Sequence, residues 1–405
     1  MKKPTNPAVE VLKRQGATVS AVEPVAEPLW AGPCDDGPNG GVTYSMLTRF
    51  MACRERFRIQ TILGLRPPER FQHRIEYGNM WHVCEETYAA SHEVSGKNRL
   101  EEALTALKQY ARGLAASYPL EQGQIDHWYR VCKLQFPLYV IYWSKHPHAT
   151  GTPLLQEEVF NVPLRLSGGH VVHLRGKFDS VDYVASPTAE AGIWLQENKT
   201  KGDIEEEDIA RQLTMDLQTM MYLTALYQYA SNHPLRDAAR RAGAGDAVPL
   251  VGVRYNVVRR PLSGGKGSIV RHKPTKKNPR GESLDEYYER VASYIREEPG
   301  RYFMRWQAIV NRGEVVRFRQ QVLDPLLTQL CIWYEVVTQS HRSRTDPFVE
   351  GNGVHWRHPY GVRNPIDEGY AGDVDSYLEN GSRVGLVRAE TLFPELQPPP
   401  TGGAV

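Results

Sequence analysis

Residues 154–260 constrain the fold of this chain more than any other stretch, because their hydrophobic period changes twice. Three strand-like runs, LLQEEVFNVPLRL, HVVHLRGKFDSVDYV and GIWLQENKT, are separated by an SGG turn and a Pro/Thr/Ala/Gly loop. Short β-compatible runs with turn residues between them predict a three-stranded meander. EEEDIARQLTMDLQTMMYLTALYQYA then takes up a helical period, with acidic residues in its first turn, as the helix dipole favours. VPLVGVRYNVVRR returns to strand character. A strand, a long helix and a further strand predict a right-handed crossover that sets VPLVGVRYNVVRR parallel to IWLQENK. The expected class is α/β, with a core of helix, three-stranded meander, helix and strand.

The 405 residues suffice for one large or two ordinary domains. Residues 1–40 lack periodicity and are expected to be a flexible N-terminal arm. Order is expected to begin at TYSMLTRFMACRERFRIQTIL, where Thr43 or Ser45 can cap a helix. A second helix is expected over YGNMWHVCEETYAASHE, and residues from about 83 to 150 form a helical insertion before the sheet. SLDEYYERVASYIREEPGRYFMRWQAIV and EVVRFRQQVLDPLLTQLCIWYEVVTQS are expected as C-terminal helices. Residues 41–342 then make up the main domain, and 343–405 an extended C-terminal segment.

Composition narrows the partners. Net charge is only +2, so nucleic acid must be met by a local patch rather than a global field. Residues 259–280 carry no acidic residue and include Arg259, Arg260, Lys266, Arg271, Lys273, Lys276 and Lys277. That loop reads as a segment gripping DNA phosphates by counterion release, without base reading. A solvated loop is the plainer alternative. SGGKGS within it lacks the Gly-x-x-x-x-Gly-Lys-Ser/Thr frame of a phosphate loop. The five cysteines show no CxxC spacing and are odd in number, which argues against a disulfide framework and for a reduced, cytoplasmic protein. No secretory h-region or long apolar run is present, so no membrane association is expected.

Glu197 and Lys199 share strand parity with the apolar Ile193 and Leu195. Asp179 is expected on the neighbouring strand. Two carboxylates converging at one sheet end repel unless a cation lies between them. Mg²⁺ suits such a place, since it takes one or two protein carboxylates and keeps positions for water and phosphate oxygens. Lys199 could position or deprotonate a water, or stabilise developing negative charge. His82 could add an imidazole, shifting preference toward Mn²⁺, and the Asn198 carbonyl is a further candidate ligand. The bland readings are solvated strand charges for Glu197 and Lys199, and packing for Gln218 and Tyr222, which share a helix face. Glu85 and Glu86 read as solvent-facing.

The order GNMWH, GKFD, ENK and QTMMY, preceded by YSMLTRFMACRERF, resembles the PD-(D/E)XK nuclease superfamily, and within it the RecB-like exonuclease group, over about residues 43–260. The resemblance implies a restriction-endonuclease-like core and a Mg²⁺- or Mn²⁺-dependent hydrolase of phosphodiester bonds. By the same resemblance His82, Asp179 and Glu197 bind metal, Lys199 is catalytic, and Gln218 and Tyr222 support the site. Gln212 is a rival for the glutamine role. DNA ends or single strands are the implied substrate, with a helicase or recombination partner, in recombination, repair or phage replication. Many relatives hold an iron–sulfur cluster on one early and three late cysteines. Cys53 stands at the early position without a late triplet, so no cluster is expected. A catalytically silent DNA-binding subunit and an RNA-directed nuclease remain as alternatives.

Overall fold

The computed structural model describes residues 28–68, 70–90, 98–146, 151–185, 191–213, 216–231, 235–245, 249–261, 269–276, 279–343, 385–393 and 396. The expected arm up to residue 27 and the tail over 344–384 lie outside the described residues. The chain divides into two compact units, one of residues 41–44 and 70–332, the other of 1–40, 45–69 and 333–405.

The first of these opens with three helices, α1 (His73–Ala90), α2 (Arg99–Ser117) and α3 (Gln122–Ser144). Asn98 caps α2 by accepting the Glu101 backbone N–H, which satisfies one of the donors a helix start leaves open. Their apolar faces meet in an aromatic core that includes Tyr77, Trp81, Trp128 and Phe136. Trp81 meets Phe136 edge-to-face at 5.3 Å, the geometry ring quadrupoles prefer. Full burial of each such side chain contributes about 1.5–3 kcal/mol.

Five strands follow in one sheet: β1 (Thr152–Arg165), β2 (Val171–Val184), β3 (Gly192–Lys201), β4 (Leu250–Arg259) and β5 (Phe303–Ile309). Their order is β1-β2-β3-β4-β5. β1, β2 and β3 pair antiparallel as a meander, and β4 returns parallel to β3 with Leu195 opposite Val253. The expected parallel return of that strand beside β3 is therefore present. The β4 burial pattern is almost continuous, as a parallel strand covered on both faces requires.

Two elements differ from expectation. Phe303–Ile309, read as part of a helix, is the antiparallel edge strand β5, with Val258 opposite Phe303 and Val253 opposite Ala308. The preceding helix stops at Glu297, and Pro299–Arg301 turns the chain. Helical spacing of the apolar residues could not reveal that β4 offers them a ladder partner. The long helix after β3 is also two helices, α4 (Glu206–Leu213) and α5 (Leu217–Ser231). Asp216 restarts the second, its carboxylate accepting from the Thr219 backbone N–H at 3.2 Å and hydroxyl at 3.3 Å, as an N-cap does.

α6 (Leu235–Arg241) precedes β4, and α7 (Leu284–Glu297) precedes β5. A reciprocal Ser283–Glu286 capping box starts α7. Glu282, just before it, accepts from both forks of Arg290 at 2.7 and 2.8 Å and from the His272 backbone N–H at 2.9 Å. Tyr287 and Arg290 also donate to the carbonyls of Ile269 and Val270, each at 2.9 Å. The described part of the basic stretch is thereby tied to α7.

In the other unit, Trp30, Phe50, Phe57, Trp333 and Tyr334 form an edge-to-face aromatic cluster with centroids 4.9–5.5 Å apart. Cys53 is buried in this unit. Leu65–Arg66 pairs antiparallel with Val387–Arg388. Among the described residues, no helix is long and apolar enough to cross a membrane.

Candidate active site

Antiparallel pairing of β2 with β3 sets Ser180 opposite Gln196, so the next step along the ladder brings Asp179 to the level of Glu197. The Asn198 backbone N–H donates to Asp179 Oδ2 at 2.8 Å. Lys199 Nζ donates to Glu197 Oε1 at 2.7 Å and to Gln218 Oε1 at 2.9 Å, while Gln218 Nε2 donates to Glu197 Oε1 at 2.7 Å. Three side chains thus close a ring of hydrogen bonds. Gln218 can reach it because α5 restarts at Asp216, two residues earlier.

Tyr222, one turn further along α5, packs edge-to-face on Phe160 at 5.2 Å and on Phe178 at 6.0 Å. Burial, reinforced by the negative charge of Glu197 and Asp179, raises its hydroxyl well above the ordinary value. Gly176 of GKFD has a steric reason: a Cβ there would lie 2.5 Å from the Phe160 ring and 3.0 Å from the Tyr222 ring.

His82, from α1, offers a ring nitrogen to a cluster that includes Asp179 and Glu157, with one ligand atom from each within 4.8 Å of the others. Glu157 did not emerge from the sequence. It lies on β1 with a φ of +49°, a backbone conformation uncommon for a non-glycine residue. Gln156 pairs with Ser180 and Glu158 with Phe178, which sets Glu157 beside Asp179. Lys177 forms an ion pair with it, whereas neighbouring Glu158 accepts from the Tyr229 hydroxyl at 2.8 Å. The available signal was Glu157 and Glu158 in succession, where strand alternation allows only one of two neighbours on a given face.

The electrostatics are unbalanced. Glu197 is 2% exposed, and burial pushes its carboxyl up to about 7 against the pull of Lys199. Burial likewise raises Asp179 to about 6, opposed by the Asn198 N–H and Lys199. Burial opposes charge on Lys199 too, but Glu197, Asp179 and Asp216 outweigh it and hold the ammonium above its ordinary value. Glu197 Oε2 is buried and has no hydrogen-bond partner among the described residues. A buried acceptor left open costs about 1–3 kcal/mol. His82, Glu157 and Asp179, one imidazole and two carboxylates, form a donor set suited to a divalent cation of the Mg²⁺ or Mn²⁺ kind, and Glu197 lies on the strand beside it without belonging to that cluster.

Asn198 reaches the site through its backbone N–H, and its side-chain Oδ1 accepts from Asn256 Nδ2 at 2.9 Å. Asn256 Nδ2 also donates to Glu85 at 2.8 Å. Glu85 is therefore not solvent-facing as expected, because α1 turns it toward β4. Glu86 is exposed. The Gln212 side chain lies outside the described residues.

Of the expected DNA contacts, Arg259 and Arg260 are buried. Arg259 Nε donates to the Gly202 carbonyl at 3.3 Å and Arg260 Nη1 to the Thr200 carbonyl at 3.0 Å, so both brace the end of β3. Arg271, Lys273 and Lys276 are exposed, with Arg271 Nε donating to the Glu282 carbonyl at 2.7 Å. Lys266 and Lys277 lie outside the described residues.

A search of the curated proteins finds none that matches this chain. The five-stranded, mostly antiparallel sheet flanked by helices has the restriction-endonuclease-like fold. A family model, that of the PD-(D/E)XK nuclease superfamily, matches residues 42–313, a span holding all five strands and every residue of the carboxylate–lysine site. On that match, the chain belongs to the PD-(D/E)XK nuclease superfamily.

Proposed function

We propose that this member of the superfamily is a metal-dependent deoxyribonuclease of the RecB-like group, acting on DNA ends or single strands. Its substrate chemistry is hydrolysis of a phosphodiester. Water oxygen bonds to phosphorus, the bond to one sugar oxygen breaks, and a proton passes from the water while the leaving oxygen gains one. A phosphate monoester and a sugar hydroxyl result.

His82, Glu157, Asp179 and Glu197 would hold the cation. Mg²⁺ or Mn²⁺ there supplies Lewis acidity toward water and phosphate. The chain's own residues do the positioning. The Asn198 N–H orients Asp179, and Gln218 orients both Glu197 and Lys199. Lys199 uses two of its three N–H donors on Glu197 and Gln218. The third would face the water or a phosphate oxygen and stabilise the charge that builds up there. Tyr222 and the Gly176 contact hold α5 against the sheet, and with it Gln218.

The observation that carries this reading is the buried Glu197 oxygen without a partner among the described residues, beside a lysine already engaged by the other oxygen. A subunit that only bound DNA would gain nothing from such undercompensated charge. The RecB-like assignment, with its setting in recombination, repair or phage replication and a helicase or recombination partner, rests on motif order. The exposed Arg271, Lys273 and Lys276 would grip phosphates. The test incubates the purified chain with linear and circular DNA and with RNA, in Mg²⁺, Mn²⁺ or EDTA, beside Lys199→Ala and Asp179→Ala. Cation-dependent cleavage of linear DNA that both substitutions abolish is expected. Cleavage unchanged in both variants would defeat the proposal, and cleavage of RNA alone would redirect it.

A further inference from the structure

The cavity that has Glu157 and Asp179 in its wall continues beyond them. Its volume is about 320 Å³, at the small end of ligand pockets, which run from about 300 to 1,000 Å³. A duplex is far too large for it. Tyr88, Phe136, Tyr139 and Trp143 contribute an aromatic part of the lining. Arg305, delivered by the edge strand β5, lies 4.2 Å from the Trp143 ring centroid and 3.5 Å from the Tyr139 hydroxyl.

Beyond the metal-facing end, its charge is wrong for a sugar–phosphate backbone. Glu85, Glu86 and Asp182 join Glu157 and Asp179 in the lining, against only Arg99 and Arg305. What fits beyond the metal-facing end is an uncharged, flat group with N–H donors. Asp182 is 5% exposed and is held by the Ser180 hydroxyl, which in turn accepts from Gln156. Trp143 is 8% exposed, yet its indole N–H has no hydrogen-bond partner among the described residues.

We propose that this cavity is a nucleobase pocket, in which one unstacked base lies among Tyr88, Tyr139 and Trp143 while its phosphodiester sits at the Glu157–Asp179 end. The inference rests on the nuclease reading and deepens it: the substrate is a nucleotide already out of the duplex. Carboxylates accept from the exocyclic amino groups of cytosine, adenine and guanine, which thymine lacks. Asp182 therefore favours amino-bearing bases. Aromatic stacking on a single base is sequence-tolerant and strong enough to dominate placement.

The test uses short single strands in which one abasic residue is moved stepwise along the sequence. Binding to the full-length Lys199→Ala chain is measured in Mn²⁺, so that no cleavage is needed for the readout. One abasic position is expected to weaken binding by roughly 5- to 100-fold, its neighbours much less. At that position cytosine should bind more tightly than thymine, and adding Asp182→Asn should erase the difference. The scan itself needs no pocket variant, so a folding defect in Asp182→Asn leaves it readable. Cleavage by the wild-type chain with no sensitive abasic position would overturn the pocket and leave the nuclease reading standing. A sensitive position without wild-type cleavage would keep the pocket and overturn the nuclease. Loss of one bound Mn²⁺ in Asp182→Asn, with no base effect, would make the cavity a second cation site and overturn the proposal.

Discussion

Two buried carboxylates, Glu282 and Glu197, solve the same problem in opposite ways. Glu282 has both oxygens engaged, by Arg290 and by the His272 N–H, and the Arg290 hydrogen bonds hold its carboxyl down at about 2. Glu197 has one oxygen engaged and one without a partner among the described residues, and burial lifts it to about 7. A carboxylate whose charge is fully answered fastens a structure. One whose charge is only half answered is poised for something the protein must bind.

The largest expected effect is loss of catalysis when the half-answered site is removed. Lys199→Ala and Asp179→Ala should each lower the cleavage rate by at least about a hundredfold, the scale of removing a group that stabilises transition-state charge. Initial rates with end-labelled DNA in saturating Mn²⁺ check this, and a loss below tenfold would place the chemistry elsewhere.

Cation removal sharpens the contrast through pH. Asp179 and Glu197 bind more protons in the folded chain than in the unfolded chain, between their ordinary values of 3.8 and 4.5 and the raised ones of about 6 and 7. Their contribution in EDTA is therefore a stability that falls as pH rises through that window. Mn²⁺ should reverse the trend, because ligands must lose their protons to bind it. The stabilisation by Mn²⁺, followed as a rise in Tm, should be small at pH 5 and large at pH 8, where it reaches about 2.7 kcal/mol at a hundredfold excess over the pH 8 Kd. Equal shifts at both pH values would remove these carboxylates from the cation site. Glu157→Gln should weaken Mn²⁺ binding in calorimetry by roughly tenfold or more, and an unchanged Kd would take Glu157 out of the ligand set.

Glu282 has the opposite slope. Its folded carboxyl lies below the ordinary 4.5, so its contribution is complete above that value and is lost as pH falls toward about 2. Glu282→Gln should lower Tm at pH 7 and flatten the acid limb of the stability profile, without altering the cation dependence of cleavage. A shift in cation dependence would join the two regions that the comparison separates. The smallest expected effect is Gly176→Ala: overpacking against Phe160 should cost about 1–3 kcal/mol in denaturant unfolding, and a neutral result would show that the Phe160 ring can yield.

The meander, the crossover helix region and the parallel return of β4 were legible in the sequence because strand and helix periods are local properties. Asp179, Glu197, Lys199 and Gln218 stand out in the sequence because their motifs follow one another in order along strongly patterned elements. Their hydrogen-bonded ring does not, since it depends on the register of β2 against β3 and on the break at Asp216. The strand β5 reads as helix because its partner β4 lies some fifty residues away, and Glu85 reads as solvent-facing because the β4 asparagine that binds it, Asn256, is 171 residues distant.

Local sequence carries the α/β order and the chemical inventory of acids, a lysine and a histidine. Which of these charges are answered is set by the fold. It sets Glu157 beside His82 and Asp179, engages Glu282 with Arg290, and leaves one Glu197 oxygen without a partner among the described residues. Hydrogen bonding and burial are relations between distant segments, and no local period encodes them.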